Sequence, residues 1–167
     1  GDSRISNLGV VRNKEIKKVL LRIPSISDAE RVVLNSDISL NSELETIIKL
    51  NKYASMHNKT HEIILMFDLG DLREGLFYQD KYLPIIQEIL KLKNIHLFGI
   101  GTNLTCFGGV VPTYDNLHIL VEIKNNIKKH FDYNIDIISG GNSSSIKLLM
   151  KGFIPRKINN LRLGEGI

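Results

Sequence analysis

The stretch Ile138-Ser-Gly-Gly-Asn-Ser-Ser-Ser145 joins an apolar segment to a helical pattern. The apolar segment is Ile135-Asp-Ile-Ile138, and the helical pattern continues through Ile146 and Leu149. Two adjacent glycines let the backbone adopt unusual dihedral angles and approach a ligand closely. Asn142 and the serines place N–H groups and hydroxyls where a helix is expected to begin, and such a helix start suits a phosphate.

Known phosphate-loop patterns do not match this stretch. No Lys-Ser or Lys-Thr pair follows the glycines, as a Walker loop would require, and the glycine spacing differs from the dinucleotide-binding fingerprint. Taken alone, the stretch leaves two interpretations open. It is either a phosphate cradle or a tight strand-to-helix turn capped by serine.

Strand-like apolar segments alternate with helical patterns on either side of this stretch. Two Ser-X-X-Glu capping boxes, Ser27-Asp-Ala-Glu30 and Ser42-Glu-Leu-Glu45, predict helix starts. Strands separated by helices pair in parallel, so we predict an α/β fold with a parallel sheet, formed as a single domain over residues 1–167. The predicted strands are 18–23, 37–41, 62–68, 95–102, 135–139 and 160–164. Two predicted helices have buried faces marked by apolar residues at helical spacing, which are Leu44, Ile47 and Ile48 in one helix and Leu117, Leu120, Val121 and Ile127 in another.

Composition limits the class of protein. The chain has 167 residues, of which 43% are hydrophobic and 24% charged, and this is typical of a soluble domain with a core. Its formal net charge is only +4. Lys124, Lys128 and Lys129 share one helical segment without interleaved aromatic residues, so we predict no nucleic-acid surface. No apolar run is long enough to predict a membrane span.

Cysteine and histidine usage also narrows the chemistry. A single cysteine, Cys106, excludes an internal disulfide and fits a reducing, cytoplasmic compartment. Cys106 follows a predicted strand and is a candidate acid/base, although a free cysteine is more often a small buried hydrophobic residue. The five histidines lack metal-ligand spacing, so we predict no metal site.

Polar, glycine-rich segments follow four successive predicted strands. They are residues 68–75, 102–109, the stretch quoted above and 160–166. Because ligands bind at the carboxyl ends of the strands in parallel α/β folds, we expect these segments to form one site. Arg162 stands out because a charge within a strand needs a partner, either a ligand or a structural ion-pair partner.

The order of these motifs resembles that of alanine racemase and its relatives. The motifs are Asp68-Leu-Gly-X-X-Arg73-X-Gly75, Gly101-Thr-Asn103, Gly141-Asn-Ser143 and Leu161-Arg-Leu-Gly-Glu165. The resemblance is strongest to the branch of ornithine racemase and related amino-acid racemases, and it spans essentially the whole chain. It implies a (β/α)8 barrel, or TIM barrel, that binds pyridoxal 5'-phosphate as a fold-type III enzyme.

The resemblance also implies roles for the residues that bind the cofactor phosphate. Asn142 and Ser143, with the backbone at Gly141, would hold that phosphate. Gly164 and Glu165 would add backbone N–H groups from the last strand.

Three further residues would surround the cofactor ring. Arg73 would approach the phenolic oxygen, and Arg162 would face the pyridine nitrogen. A guanidinium stays protonated, so Arg162 would leave that nitrogen unprotonated and favour proton exchange at Cα. Asn103 would pack against the ring face, where alanine racemase has histidine.

The function implied is that of a pyridoxal-phosphate-dependent amino-acid racemase. It would act on ornithine or another basic amino acid, removing and returning the α-proton through an external aldimine, and its full-length form would be a homodimer. One alternative is a non-catalytic pyridoxal-phosphate carrier with the same barrel. A third interpretation is a phosphate-binding barrel with an unrelated reaction.

Two parts of the family pattern have no counterpart in this sequence. The Schiff-base lysine of the family ends the first barrel strand and would precede Gly1, whereas Lys14, Lys17 and Lys18 would follow the second strand. The β-domain of the family would follow Ile167. We therefore expect an incomplete (β/α)8 barrel, from the end of strand 2 through strand 8, which is inactive as a racemase by itself.

Overall fold

The computed structural model describes residues 1–13, 15–105 and 109–164. Lys14, Cys106 and Glu165 lie outside the described residues. The roles predicted for Cys106 and Glu165 therefore stay predictions.

Strands and helices alternate along the chain. The strands are β1 (Val19–Leu20), β2 (Ile38–Asn41), β3 (His61–Asp68), β4 (Leu76–Phe77), β5 (Ile95–Gly101), β6 (Ile137–Asn142) and β7 (Asn160–Arg162). The α-helices are α1 (Ile5–Gly9), α2 (Ala29–Asn35), α3 (Leu44–Met56), α4 (Leu83–Leu90), α5 (Tyr114–Phe131) and α6 (Ile146–Met150), and short 3-10 turns cover Ile26–Asp28 and Ser143–Ser145.

The strands pair in the order β1-β2-β3-β5-β6-β7, with β4 beside β3. The strand pairs β1–β2, β2–β3, β3–β4, β5–β6 and β6–β7 are all parallel. Parallel strands that follow one another in sequence and alternate with helices are the arrangement of part of a (β/α)8 barrel. The predicted fold class, an incomplete barrel, is confirmed. Among the described residues, no helix combines the length and apolar character that a membrane crossing requires.

The chain divides into two compact units. The first contains Gly1–Leu65 and Pro84–Phe98, and the second contains Met66–Leu83 and Gly99–Ile167. The prediction of a single domain stays a prediction.

The first unit is built on β1, β2 and the beginning of β3. All four residues of β2 are buried, as expected of a parallel strand that is covered on both faces. Helices α2 and α3 pack against each other. Their buried residues include Val32, Val33, Ile47 and Leu50, each at most 1% exposed. Ile48, predicted to share the buried face of α3, is 47% exposed instead.

The second unit is built on β6, β7 and the end of β5, with α5 as its longest helix. In α5, residues Leu117, Leu120, Val121 and Ile127 are buried at helical spacing, as the sequence predicts. This helix begins with a capping box in which Thr113 Oγ1 accepts the Asn116 N–H at 3.2 Å.

The predicted capping boxes at α2 and α3 are wrong. The N-cap residues are Asp28 and Glu43, and neither side chain accepts a capping hydrogen bond. A capping serine must occupy the N-cap position itself. Ser27 instead lies inside the preceding 3-10 turn, and Ser42 lies one residue too early.

The quoted glycine-serine stretch also differs from its predicted boundaries. Strand β6 continues through both glycines to Asn142, whereas the predicted strand ended at Ser139. The residue that caps the following turn is asparagine and not serine, because Asn142 Oδ1 accepts the Ser144 N–H at 2.9 Å. Strand β4, which is only two residues long, was not predicted from the sequence.

Candidate functional site

Arg162, at the end of β7, lies at the centre of a hydrogen-bonded cluster in the second unit. Its guanidinium donates to Ser139 Oγ at 2.5 Å, to the Thr102 carbonyl at 2.6 Å and to Asn103 Oδ1 at 2.5 Å. These three acceptors are uncharged. They fix the plane of the guanidinium, and a charged donor makes such hydrogen bonds stronger than neutral ones.

The register of the parallel strands explains why these residues meet. Gly101 on β5 pairs with Ser139 on β6, and Ser139 pairs with Asn160 on β7. A Cβ atom at residue 101 would lie 3.0 Å from Ser139 Cβ and 3.4 Å from Arg162 Nη1. The absence of a side chain at Gly101 therefore leaves room for the Arg162 side chain.

Glu74 extends this cluster on its other side. Asn103 donates its side-chain N–H to Glu74 Oε1, while its amide oxygen accepts from Arg162. Glu74 Oε2 lies 3.9 Å from Nε of Arg73, whose side chain is 45% exposed. Asn103 and Glu74 thus connect Arg162 to Arg73, the two arginines that were predicted to approach the cofactor ring.

A second group of contacts brings the glycine-serine turn and the last strand together. The backbone N–H of Gly164 donates to Ser143 Oγ at 3.1 Å. Asn142 donates its side-chain N–H to the Leu104 carbonyl at 3.0 Å. The turns after β5, β6 and β7 therefore meet at one place, as predicted for the carboxyl ends of neighbouring parallel strands.

Gly141 has a conformation that this turn depends on. Its φ is +105°, in the left-handed region, and a Cβ atom there would lie 3.0 Å from Ser145 Oγ. Ser145 is buried and donates its hydroxyl to the Gly140 carbonyl at 2.7 Å. The close approach of Ser145 to the Gly141 backbone therefore requires glycine at position 141.

Two aspartates organise the loops of the site. Asp68 Oδ1 accepts the N–H groups of Gly70 and Leu72 at 2.8 and 3.1 Å. Asp71, which is 1% exposed, accepts the N–H groups of Thr105 and Val110 at 3.1 and 3.0 Å. These hydrogen bonds hold the loop after β3 against the loop after β5.

Sequence reasoning found part of this arrangement. It predicted one site for Asn103, Arg162, Gly141, Asn142, Ser143 and Gly164. The contacts above join Asn103 to Arg162 and Ser143 to Gly164. It did not single out Glu74, Asp71 or Ser139. Glu74 and Asp71 lie inside the quoted 68–75 motif, so their acidic side chains within a strand-end loop were the available signal. No sequence signal pointed to Ser139, because its contact with Arg162 depends on strand pairing.

The residues present fit a phosphorylated aromatic cofactor. Gly141 leaves its backbone bare, because a Cβ atom there would lie 3.0 Å from Ser145 Oγ, and the Ser143 hydroxyl and the Gly164 N–H, which contact each other, belong to the turns that follow β6 and β7. Thr102 Oγ1 is buried beside the Arg162 contact and, in the described part of the chain, has no hydrogen-bond partner. No group of three His, Cys, Asp or Glu residues in residues 1–13, 15–105 and 109–164 has the arrangement of a metal site.

Comparison with known proteins identifies relatives along the full length of the chain. Residues 2–167 match the family model described as alanine racemase, N-terminal domain. Ornithine racemase of Acetoanaerobium sticklandii is 51% identical over 166 residues, and lysine racemase of Thermotoga maritima is 36% identical over 169 residues. Each alignment covers 47% of the relative, so the chain spans about half the length of these proteins.

Solved structures share the fold at low sequence identity. Alanine racemase of Clostridium difficile 630 in complex with cycloserine superposes with a TM-score of 0.70 at 19% identity, covering 88% of this chain and 40% of that chain. PipY of Synechococcus elongatus with PLP bound has a TM-score of 0.73 at 14% identity, covering 89% of this chain and 68% of that chain. The family match, the two racemase relatives and the shared fold agree with the resemblance seen in the motifs, and the chain belongs to the alanine racemase family, matching its N-terminal domain.

Proposed function

We propose that the full-length protein is an amino-acid racemase that uses pyridoxal 5'-phosphate and acts on ornithine or another basic amino acid. The observation that carries this proposal is the identity of 51% to ornithine racemase across 99% of the chain. The second relative, at 36% identity, is a lysine racemase, which also acts on an amino acid with a basic side chain. The family depends on pyridoxal phosphate.

The cofactor phosphate would be held by the turn after β6 and the end of β7. Gly141 gives the backbone its close approach, and Ser143 and Gly164 supply a hydroxyl and a backbone N–H that already contact each other. Asn142 fixes the turn through its bond to the Leu104 carbonyl. Glu165 would add a further backbone N–H group. Such a site relies on oriented dipoles and hydrogen bonds.

The ring would be oriented by Arg73, Asn103 and Arg162. The contacts of Arg162 with Ser139, Thr102 and Asn103 hold its guanidinium in one plane. Because that group keeps its protons, a ring nitrogen facing it stays unprotonated. The cofactor supplies the electron sink that acidifies the α-proton of an amino acid. The catalytic acid and base are not assigned to residues of this chain, with Cys106 as a candidate only.

We further propose a homodimer in the cytoplasm, with an amino acid as the substrate and no nucleic-acid or membrane partner. The modest net charge of +4 supports the absence of a nucleic-acid partner, and the single cysteine supports the cytoplasmic location.

The test is a racemisation assay on the full-length protein. We expect the purified protein, supplied with pyridoxal phosphate, to exchange the α-proton of L-ornithine for deuterium in D2O and to form D-ornithine, measured by NMR and chiral chromatography. L-lysine and L-alanine are the comparison substrates. Tight cofactor binding without α-proton exchange in any amino acid would reject the racemase and support the carrier alternative.

A further inference from the structure

The amino ends of β2 and β3 carry a cavity that the proposed racemase chemistry does not use. It measures about 450 Å³, which is within the range of roughly 300–1,000 Å³ typical of sites for small organic molecules. Asp37 directly precedes β2, Thr60 directly precedes β3 and His61 begins β3, and all three line the cavity. The candidate functional site instead involves the carboxyl ends of the strands. The cavity therefore belongs to a different part of the fold.

One wall of this cavity is the buried imidazole of His61. The residue is only 2% exposed, and its Nε2 lies 2.8 Å from Ser39 Oγ. Ser39 Oγ also accepts a side-chain N–H of Asn41 at 2.9 Å. We therefore assign the hydroxyl proton of Ser39 to its bond with Nε2, which leaves the ring proton of the neutral histidine on Nδ1. The Nδ1–H group is then the donor that His61 can offer to a ligand.

Lys59 brings a positive charge to the same cavity. Its Nζ donates to the Val33 carbonyl at 3.3 Å. No carboxylate in the described part of the chain forms an ion pair with this ammonium group. The other lysine of the lining, Lys17, donates to both carboxylate oxygens of Glu62, at 2.7 and 2.6 Å. An ammonium has three donors, so Lys59 can also donate to a ligand.

Asp37 is the charge in the lining that opposes an anion. Its Oδ2 accepts the Lys18 backbone N–H at 2.7 Å, and the residue is exposed. Burial lowers the pKa of His61 to about 4, while the Asp37 carboxylate opposes this shift and the Lys59 ammonium adds to it. The imidazole is therefore uncharged at neutral pH. An anion beside it would favour the protonated form and so supply a second positive charge.

We propose that this cavity binds a phosphate group, free or as part of a small ester. Lys59, the Nδ1–H of His61 and the exposed hydroxyl of Thr60 would donate to its oxygens. A phosphate group has three strong acceptor oxygens, one for each of these donors, whereas a carboxylate has two. Hydrogen bonds from a charged donor are the stronger kind. The Asp37 carboxylate is left to accept from hydroxyl groups of an esterified ligand.

The binding test uses isothermal titration calorimetry on the full-length protein saturated with pyridoxal phosphate, so that the cofactor site is filled. Sodium sulfate is the main probe, because it is a tetrahedral dianion that does not titrate between pH 5.5 and 8. Acetate tests the number of acceptor oxygens, and methylammonium tests the sign of the charge. We expect sulfate to bind more tightly than both. No binding of sulfate, or tighter binding of acetate or methylammonium, would overturn the proposal.

Inorganic phosphate and glycerol 1-phosphate distinguish the two sources of the phosphate group. Tighter binding of glycerol 1-phosphate would identify an ester, and tighter binding of inorganic phosphate would identify the free ion. Either result agrees with the proposal, whereas failure of both to bind would reject it.

Variants of opposite charge effect locate the bound sulfate. We expect Lys59→Gln to weaken its binding about tenfold or more, because a charge-assisted contact is lost. Asp37→Asn should strengthen binding about twofold or more, because a repelling charge is removed while an amide oxygen can still accept the Lys18 N–H. Lys129→Gln, at an exposed lysine of the second unit, is the matched control and should bind as the wild type does. Normal binding in Lys59→Gln, with weaker binding in Arg73→Gln, would place the sulfate at the other site.

The pH dependence of binding separates a ligand-binding role of His61 from a structural one. Because an anion raises the pKa of a neighbouring imidazole, sulfate should bind the wild type about threefold or more tightly at pH 5.5 than at pH 8. His61→Gln should lose most of this pH dependence. Lys59→Gln keeps the histidine and should retain the pH dependence at lower affinity. Equal sulfate affinity at the two pH values in the wild type, or an equal rise in His61→Gln, would contradict the inference.

Discussion

The backbone N–H of Gly164 donates to the hydroxyl of Ser143 at 3.1 Å, so two turns that lie 21 residues apart in the sequence meet at one point. This contact meets the geometric condition for a shared phosphate site, since turns on opposite ends of the sheet would not touch one ligand. Ser143 is half-buried, and Gly164 is exposed. The turn after β6 and the end of β7 can therefore act on the same anion.

The first prediction separates two serines of this turn. Ser143→Ala should weaken pyridoxal-phosphate binding several-fold, because one hydroxyl of the cradle is lost while the backbone donors remain. Ser145→Ala is the matched control, since its buried hydroxyl bonds the Gly140 carbonyl. That variant should retain more of the affinity and lose about 1 kcal/mol of unfolding free energy. Absorbance titration and urea unfolding measure the two effects, and equal loss of affinity in both variants would contradict the assignment.

The second prediction concerns Glu74 as a positioning residue. Its carboxylate accepts from the Asn103 amide and thereby directs the amide oxygen to Arg162. Glu74→Ala should lower cofactor affinity by about 1 kcal/mol, or about fivefold, because Asn103 is then free to turn its NH2 group toward the guanidinium. Glu74→Gln keeps an acceptor oxygen and should restore most of the affinity.

Glu88→Ala is the control for a lost surface carboxylate, since Glu88 is exposed and pairs with Lys91. The dissociation constant of pyridoxal phosphate, measured by absorbance titration, is the readout for all three variants. Glu74→Gln as weak as Glu74→Ala would show that the charge of Glu74 matters and not the hydrogen bond to Asn103.

The third prediction compares two glycines of the site. Gly141→Ala should destabilise the protein by about 1–3 kcal/mol, because its φ of +105° is strained for alanine and the new methyl meets Ser145 Oγ at 3.0 Å. A Cβ atom at Gly164 meets no atom within 4 Å, so Gly164→Ala should change the unfolding free energy by less than about 0.5 kcal/mol. Urea unfolding of both variants tests this, and similar losses would refute the role given to the Gly141 conformation.

The fourth prediction is a pH dependence of stability that arises from His61. This residue is 2% exposed and lies 2.8 Å from Ser39 Oγ, and burial lowers the pKa of His61 from 6.5 to about 4. Between these two values the unfolded chain binds a proton that the folded protein does not. Stability should therefore be fully present above pH 6.5 and fall as the pH drops toward 4, by up to about 3 kcal/mol.

His61→Gln removes this titration. Its unfolding free energy should depend less on pH than that of the wild type between pH 6.5 and 4, as measured by urea unfolding at several pH values. His130→Gln is the control, because His130 is exposed, and its pH dependence should follow the wild type. A wild type and a His61→Gln variant with parallel pH profiles would show that His61 gains its proton without unfolding the protein.

Local patterns in the sequence predicted the elements whose signals are local. The spacing of Leu117, Leu120, Val121 and Ile127 predicted the buried face of α5, because one helix turn brings such residues together without help from the rest of the chain. The two predicted capping boxes are also local patterns, but both predictions were wrong. A Ser-X-X-Glu pattern is common to several positions near a helix start, and tertiary packing decides which residue becomes the N-cap.

The order of strand-end motifs was enough to indicate the family and the fold. Arg162 was conspicuous because a charged residue in a strand requires a partner. The sequence alone determined that a partner was needed, but not which residues would meet that need.

The tertiary structure decided those partners. Asn103 and Thr102 reach Arg162 across 59 and 60 positions of sequence, and Ser139 does so through the pairing of β6 with β7. Glu74 joins the cluster from the loop after β3, and Asp71 of the same loop holds it against the loop after β5. Parallel pairing sets such contacts by register, and register depends on long-range packing that no short stretch of sequence encodes.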